Sequence, residues 1–184
     1  LHTCCAPCAI YPSECANNDG YSNITLFYYN PNIHPEDEFY RRKEQIEELL
    51  DKGPKLRMDR IYIGYDPKEY FQEVKEYDDP KKRCFQCWQM RIKKTAQFAR
   101  DNGFDSFTTT LLVSPYQDQE ILKQIGEELS KEVGIDFYCR DFMEGFKKAH
   151  KKAHEIGLYC QNYCGCIFSI VEREQRKLDR KTRK

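Results

Sequence analysis

The stretch Ile24-Thr25-Leu26-Phe27-Tyr28-Tyr29-Asn30-Pro31-Asn32-Ile33-His34-Pro35 decides the fold. It opens as a run of branched and aromatic residues suited to a strand and closes on an Asn-Pro-Asn turn. It then reaches a proline placed to start a helix, where the N–H that proline lacks would have no partner anyway. Phe39, Ile46, Leu49 and Leu50 give that helix an apolar stripe, and Gly53 ends it. The alternation recurs in both directions. Upstream, a strand is expected to run into Cys4, with a helix starting at Cys8 after Pro7. Downstream, Arg60 to Ile63 reads as a strand, and Pro67 opens a short helix that Asp78-Asp79-Pro80 breaks. Cys84 to Asn102 reads as a helix, Phe107 to Leu112 as a strand, and Asp118 as the N-cap of a helix reaching Val133 before Gly134. Asp136 to Cys139 reads as a strand, Phe142 to Ile156 as a helix weakened at Gly145, and Ile167 to about Arg180 as a final helix.

Strands alternating with helices predict an α/β fold with a mainly parallel sheet, and right-handed crossovers put helices on both faces. One domain is expected over 1–184, with 142–184 a C-terminal helical extension carrying the last cysteine pair. Ligand sites in such sheets lie beyond the carboxyl ends of the strands. Cys4-Cys5, Asn30-Pro31-Asn32, Ser114-Pro115-Tyr116-Gln117 and Arg140-Asp141 each follow a predicted strand, so all are expected on one rim.

The chain has 184 residues and zero net charge, so nucleic-acid binding has no global electrostatic argument. Charge distribution says more. Arg173 to Lys184 is strongly basic, including Arg176, Lys177 and Arg180, and a second basic run spans Lys147 to Lys152. Each run alone reads as a solvated helix face; two runs flanking the last cysteine pair point to an anionic partner. No stretch approaches the roughly 18 apolar residues of a membrane span. No signal peptide is expected, a few strand residues are expected upstream of Leu1, and a cytoplasmic location follows.

Seven of the ten cysteines fall into three clusters, Cys4-Cys5-x-x-Cys8, Cys84-x-x-Cys87 and Cys164-x-Cys166. A disulfide framework is discounted, because disulfide scaffolds are small and poor in core. Cys84, Cys87 and Cys8, read at helix starts, are expected to favour thiolate. A structural zinc or a [4Fe–4S] cluster takes four ligands, which leaves three thiols over. Adjacent Cys4 and Cys5 point in different directions, as do Cys164 and Cys166. Each pair is therefore expected to give one thiol to each of two centres. One centre has Cys84, Cys87 and one member of each pair; the other has Cys8 and the remaining two, with a position open for substrate. Cys139 reads as a small core residue, and Cys15 and Cys160 as spare thiols.

The ordered motifs His2-Thr3-Cys4-Cys5-Ala6-Pro7-Cys8, Tyr29-Asn30-Pro31-Asn32-Ile33-His34-Pro35, Arg83-Cys84-x-x-Cys87, Leu112-x-Ser114-Pro115-Tyr116-Gln117, Asp141-Phe142 and Tyr159-Cys160-Gln161-x-Tyr163-Cys164-Gly165-Cys166-x-Phe168-Ser169 resemble the QueH family of epoxyqueuosine reductases. The resemblance runs from Leu1 to about Ser169. It implies a Rossmann-like, nucleotide-hydrolase-like fold and reduction of the epoxide of epoxyqueuosine to queuosine at the tRNA wobble position. It also implies a [4Fe–4S] cluster, one additional mononuclear iron, no cobalamin, and an electron donor that the sequence does not identify. It places two cysteines and an aspartate around the extra iron, where the spacing offers Cys8 as third thiol.

A proton donor must reach the epoxide oxygen. Asp141 is ranked first, with a helix N-cap before Phe142 as its alternative; His34 and Tyr116 follow. Asn30, Asn32, Ser114 and Gln117 are candidates for substrate contact, and Arg176, Lys177 and Arg180 for phosphates. Tyr159, Tyr163 or Trp88 offer rings on which a base could stack, with Trp88 more in keeping with the core. Two other readings are open. A structural zinc RNA-binding protein would use Cys84, Cys87, Cys164 and Cys166 but leave Cys4, Cys5 and Cys8 unexplained. A Cys-x-x-Cys thiol–disulfide oxidoreductase would use Cys84 and Cys87 without metal.

Overall fold

The structure, a computed structural model, describes residues 1–182, with side chains as far as Asp179. Two parallel pairs of strands form its sheet. β1 (Ile24–Tyr28) pairs with β2 (Met58–Tyr62), Ile24 opposite Met58 and Tyr28 opposite Tyr62. β3 (Ser106–Phe107) pairs with β4 (Asp136–Phe137). The opening segment joins them, for His2 bridges Phe27 on one side and Thr109 on the other, both in parallel. Thr3 N donates to Phe27 O at 2.9 Å, and His2 N donates to Thr108 O at 2.8 Å. The order across the molecule is therefore β2, β1, opening segment, β3, β4.

Alternate residues of β1 face opposite sides, as strand periodicity requires. Phe27 stacks on Phe98 of α4 (Pro80–Asp101), ring centroids 4.6 Å apart. Tyr28 meets Phe39 of α2 (Glu36–Lys52) at 5.0 Å and donates its hydroxyl to the Phe39 carbonyl. Helices thus cover both faces. Burying Phe39 alone contributes about 1.5–3 kcal/mol. The predicted stripe is the one used, for Phe39, Ile46 and Leu49 are buried, and the Gly53 amide closes α2 on Leu49 O. α1 (Ala6–Asn18) packs beside α2 and α6 (Phe146–Glu155), while α5 (Gln119–Val133) packs along α4. Asp118 caps α5 through the Ile121 amide, and Gly134 ends it in the left-handed region.

Several elements differ from the sequence expectation. The strand expected over Phe107 to Leu112 stops at Phe107. The Thr109 hydroxyl takes the Leu111 amide at 3.1 Å, and Thr110–Val113 winds into a 3-10 turn. β4 ends at Phe137, and Cys139 is exposed rather than in the core. α4 starts four residues before Cys84, because Asp79 caps it through the Lys81 amide and Pro80 takes its first position. The Asp-Asp-Pro sequence that breaks α3 (Pro67–Val74) thus also begins the next helix. The helix expected over Phe142 to Ile156 divides into a 3-10 turn, Met143–Gly145, and α6, at the glycine read as weak. A Cβ on Gly145 would lie 2.0 Å from the Tyr11 ring, so that residue is set by close approach. α7 (Ile167–Thr182) is the final helix. Among the described residues no helix is long and apolar enough to cross a membrane.

Gly126 lets α5 approach β4 closely, since a Cβ there would stand 2.1 Å from the Phe137 ring. Gly126→Ala is expected to destabilise by about 1–3 kcal/mol through overpacking. Gly64→Ala, with open space around it, is expected to leave stability within about 0.5 kcal/mol of the native value. Urea unfolding of the two variants side by side checks the contrast.

Candidate functional site

The sheet ends deliver the thiols. The opening segment leaves its two neighbours at Thr3, and Cys4 and Cys5 follow at once. The Cys4 amide donates to Thr110 Oγ1 at 3.2 Å, and the Cys4 thiol shares a hydrogen bond with that hydroxyl at 3.4 Å. Thr110 is thus part of the site, although nothing in a run of three threonines marks one of them. Cys5 is the N-cap of α1, with Cys8 one turn further; both are buried. Hydrogen bonding with Cys5, then burial, pushes the Cys4 thiol well above its ordinary value. Cys5 is pulled down by Cys4, but its contact with Cys8 and its burial outweigh that and raise it.

α4 supplies Cys84 and Cys87 from its second and third turns, not from its start. Burial and the facing thiols of Cys164 and Cys166 hold Cys84 at about 11. Burial, against the pull of Arg91, sets Cys87 at about 12. The thiolate-favouring helix end expected from the sequence is therefore absent, because Asp79 and Pro80 place the N-terminus a turn away.

The last pair arrives on the 158–166 loop, and Arg42 fixes it. Arg42 is fully buried on α2, with its Nε donating to Glu38 at 2.7 Å. Its other nitrogens donate to the carbonyls of Cys164 (3.1 Å) and Tyr163 (3.3 Å). Tyr163 donates to His34 O at 2.6 Å, and His34 N donates to Gly165 O at 2.8 Å. Gly165 has φ +131°, and a Cβ on it would come within 3.3 Å of the Arg42 guanidinium, so this corner accepts only glycine. At the far side Arg83 lies over the Phe168 ring, tying α4 to α7. Cys166 packs on the buried cluster of Cys87, and Cys164 and Cys166 lie within electrostatic reach of Cys84, Cys87 and, for Cys164, Cys4. Cys5 and Cys8 lie together behind Cys4. Among the described residues no three His, Cys, Asp or Glu side chains converge on a single-ion position.

Under these thiols lies Arg91, which is fully buried. It is four residues after Cys87 and seven after Cys84, on the same helical face. Its Nε donates to Cys87 O at 3.1 Å, while its NH2 is buried without a partner. Burial disfavours its charge, but the thiols of Cys87, Cys164, Cys4 and Cys166 more than restore it. The spacing from the Cys-x-x-Cys pair was the signal that could have found it. Tyr70 of α3, whose hydroxyl faces Cys166 and Cys87, carried no such signal.

The remaining candidates divide. Gln117 Nε2 reaches the Cys164 thiol at 3.9 Å. The Ser114 hydroxyl accepts the Tyr116 amide. Asn30 donates to Thr3 O at 2.8 Å, and both amide atoms of buried Asn32 lack partners. His34 donates from Nδ1 to Asn32 O at 2.7 Å, and its Nε2 is buried and unpartnered. Burial lowers the His34 pKa, so the ring is neutral and Nε2 is an acceptor. Tyr116 is 84% exposed. Asp141 is exposed and caps the 3-10 turn, accepting the Met143 amide at 2.9 Å. Trp88 is buried, and Tyr163 sits between Arg42 and Arg173, so neither presents a free ring face. Arg176 and Lys177 are exposed, Lys177 paired with Glu174; the Arg180 side chain lies outside the described residues.

Fold and site together define an α/β protein that gathers thiols from distant segments at the carboxyl rim of a parallel sheet. A family model described as epoxyqueuosine reductase QueH matches residues 1–172. The chain is 32% identical over 181 residues to the epoxyqueuosine reductase QueH of Thermotoga maritima, spanning 96% of this chain and 92% of that protein. To that of Dehalococcoides mccartyi it is 33% identical over 174 residues, spanning 94% and 92%. To that of Staphylococcus aureus it is 29% identical over 183 residues, spanning 94% and 75%. The chain belongs to the QueH family of epoxyqueuosine reductases and is an oxidoreductase.

Removing Arg42 strands a buried Glu38 and frees the Cys164 loop. Arg42→Met is expected to cost about 3–5 kcal/mol in urea unfolding. Adding Glu38→Gln should recover part of that loss; strict additivity of the two changes would contradict the coupling drawn here.

Proposed function

We propose that this chain reduces the epoxide of epoxyqueuosine in the wobble position of tRNA to the alkene of queuosine. The carrying observation is the convergence of Cys4, Cys84, Cys87, Cys164 and Cys166, from three distant segments, over a buried guanidinium. The donor set fits a [4Fe–4S] cluster. Its thiols are soft, and Arg91, a buried cation with an orphaned N–H, lies on the helical face that carries Cys84 and Cys87. Cys84 and Cys87 with Cys164 and Cys166, or with Cys4 in place of one of the latter, would hold it. Cys5 and Cys8 are left over from that set and are the thiols available to the additional iron. When bound, these groups supply electrons singly and Lewis acidity at the substrate oxygen.

The reaction consumes two electrons and two protons per epoxide, breaks both C–O bonds, and releases water as the C=C bond forms. An external one-electron donor delivers the electrons in sequence. Gln117 and Ser114 orient the nucleoside beside Cys164. Neutral His34, packed against Tyr70 and Phe71, holds the loop of Tyr163 and Gly165 through its backbone rather than acting as the acid. Asp141 and Tyr116, both solvent-accessible, supply the proton to the departing oxygen. Arg176, Lys177 and Arg180 on the last helix contact tRNA phosphates. This reading treats 1–184 as one domain with a Rossmann-like strand order, opening strand in the middle, and 142–184 as the extension that completes the site.

Anaerobic iron and sulfide analysis, paired with turnover of epoxyqueuosine-bearing tRNA, tests the proposal. A brown protein that loses iron, sulfide and turnover together in Cys84→Ser and Cys87→Ser is expected. Stoichiometric zinc in a colourless protein would instead favour the RNA-binding alternative. Changing Arg176, Lys177 and Arg180 together to Gln should weaken tRNA binding and flatten its salt dependence by roughly one unit of slope per lost phosphate contact; an unaltered slope would reduce the helix end to a solvated face.

A further inference from the structure

We propose that Arg91 is the buried counter-charge of this thiol centre, a positioning residue that keeps its reduction potential high and its iron in place. The inference deepens the reading that Cys84, Cys87, Cys164 and Cys166 hold an iron–sulfur cluster. Helical side chains lean towards the helix N-terminus, which carries the Arg91 guanidinium back over the turn of Cys87. Its bond to Cys87 O pins it there at 3.1 Å. The residue is 0% exposed, so its charge has no water to satisfy it. Among the described residues its hydrogen-bond partner is that carbonyl, and its NH2 has none. Four residues after Cys87 and seven after Cys84, it shares their helical face.

An unpaired buried charge is costly, and a protein retains one only where a partner is present in the working state. Four thiolates around a [4Fe–4S] core carry net negative charge, and each added electron makes it more negative. A fixed cation therefore stabilises the reduced state more than the oxidised one and raises the potential. Arg91 also supplies the free N–H that hydrogen bonds to cluster sulfur require. This differs from Arg42, whose guanidinium is consumed by Glu38 and two loop carbonyls.

The test compares the native chain with Arg91→Lys, Arg91→Gln and Arg91→Met, each loaded anaerobically with iron and sulfide. The couple is titrated with dithionite and mediators. Dithionite is oxidised to sulfite while the centre accepts one electron and no bond changes. The neutral variants should shift the reduction equilibrium about tenfold against the reduced form, about 59 mV for one electron. Arg91→Lys should retain most of the native midpoint. Should the neutral variants keep native circular dichroism yet bind less iron than Arg91→Lys, the counter-charge is supported through loading instead. Neutral variants with native loading and midpoint overturn the proposal. So does Arg91→Lys falling as far as Arg91→Gln in midpoint or in iron, since shape rather than charge would then decide. A native chain that binds no iron and sulfide fails the cluster reading itself, a different result from variants that match a loaded native chain.

Discussion

Everything in this molecule turns on the pairing of its opening segment with two neighbours at once. Residues 1–3 share backbone hydrogen bonds with β1 on one side and with Thr108 and Thr110, just past β3, on the other. The His2 ring repeats the link from its side chain, sharing a bond with Thr109 Oγ1 at 2.9 Å and reaching Tyr29 O at 3.3 Å. Without that segment the two strand pairs would share no hydrogen-bonded edge. With it, Cys4 and Cys5 emerge at the middle of the rim, where the ends of β1 and β3 also arrive.

That central position explains why one helix and one loop complete the site. α4 crosses the face under β1, held by the Phe27–Phe98 stack, and brings its second and third turns under the rim. The 158–166 loop has no regular structure of its own. Its conformation is imposed from outside by Arg42 and His34, which bond to its own Tyr163, Cys164 and Gly165. Side-chain to backbone bonds of this kind substitute for a ladder where the chain must turn thiols inward. The stability of the loop is thus borrowed from α2, whose apolar stripe anchors the helix while its Glu38–Arg42 pair reaches across.

The chemistry follows from two buried arginines with different duties. Arg42 is fully paired and rigidifies. Arg91 is underpaired and faces the thiols. Buried polar groups are normally satisfied, so several orphans close to one rim, on Asn30, Asn32, His34 and Arg91, are informative as a group.

Sequence alone determined the alternation of strand and helix, the stripe of α2, the caps at Asp118 and Gly134, and the clustering of the thiols. These depend on local periodicity and capping, which a chain carries in its own order. It did not determine where α4 begins, because the Asp-Pro pair that reads as a break is equally a start, and only the packing of α3 against α4 uses it as both. It placed Cys139 in the core, where the early end of β4 leaves it exposed. It passed over Arg91, Arg42 and Thr110, since a buried cation and a solvated one look alike in sequence. Which thiols face which, and which cation is left to answer them, is decided by contacts between residues far apart in the chain. Tertiary structure alone supplies those, because burial and desolvation are properties of neighbours in space.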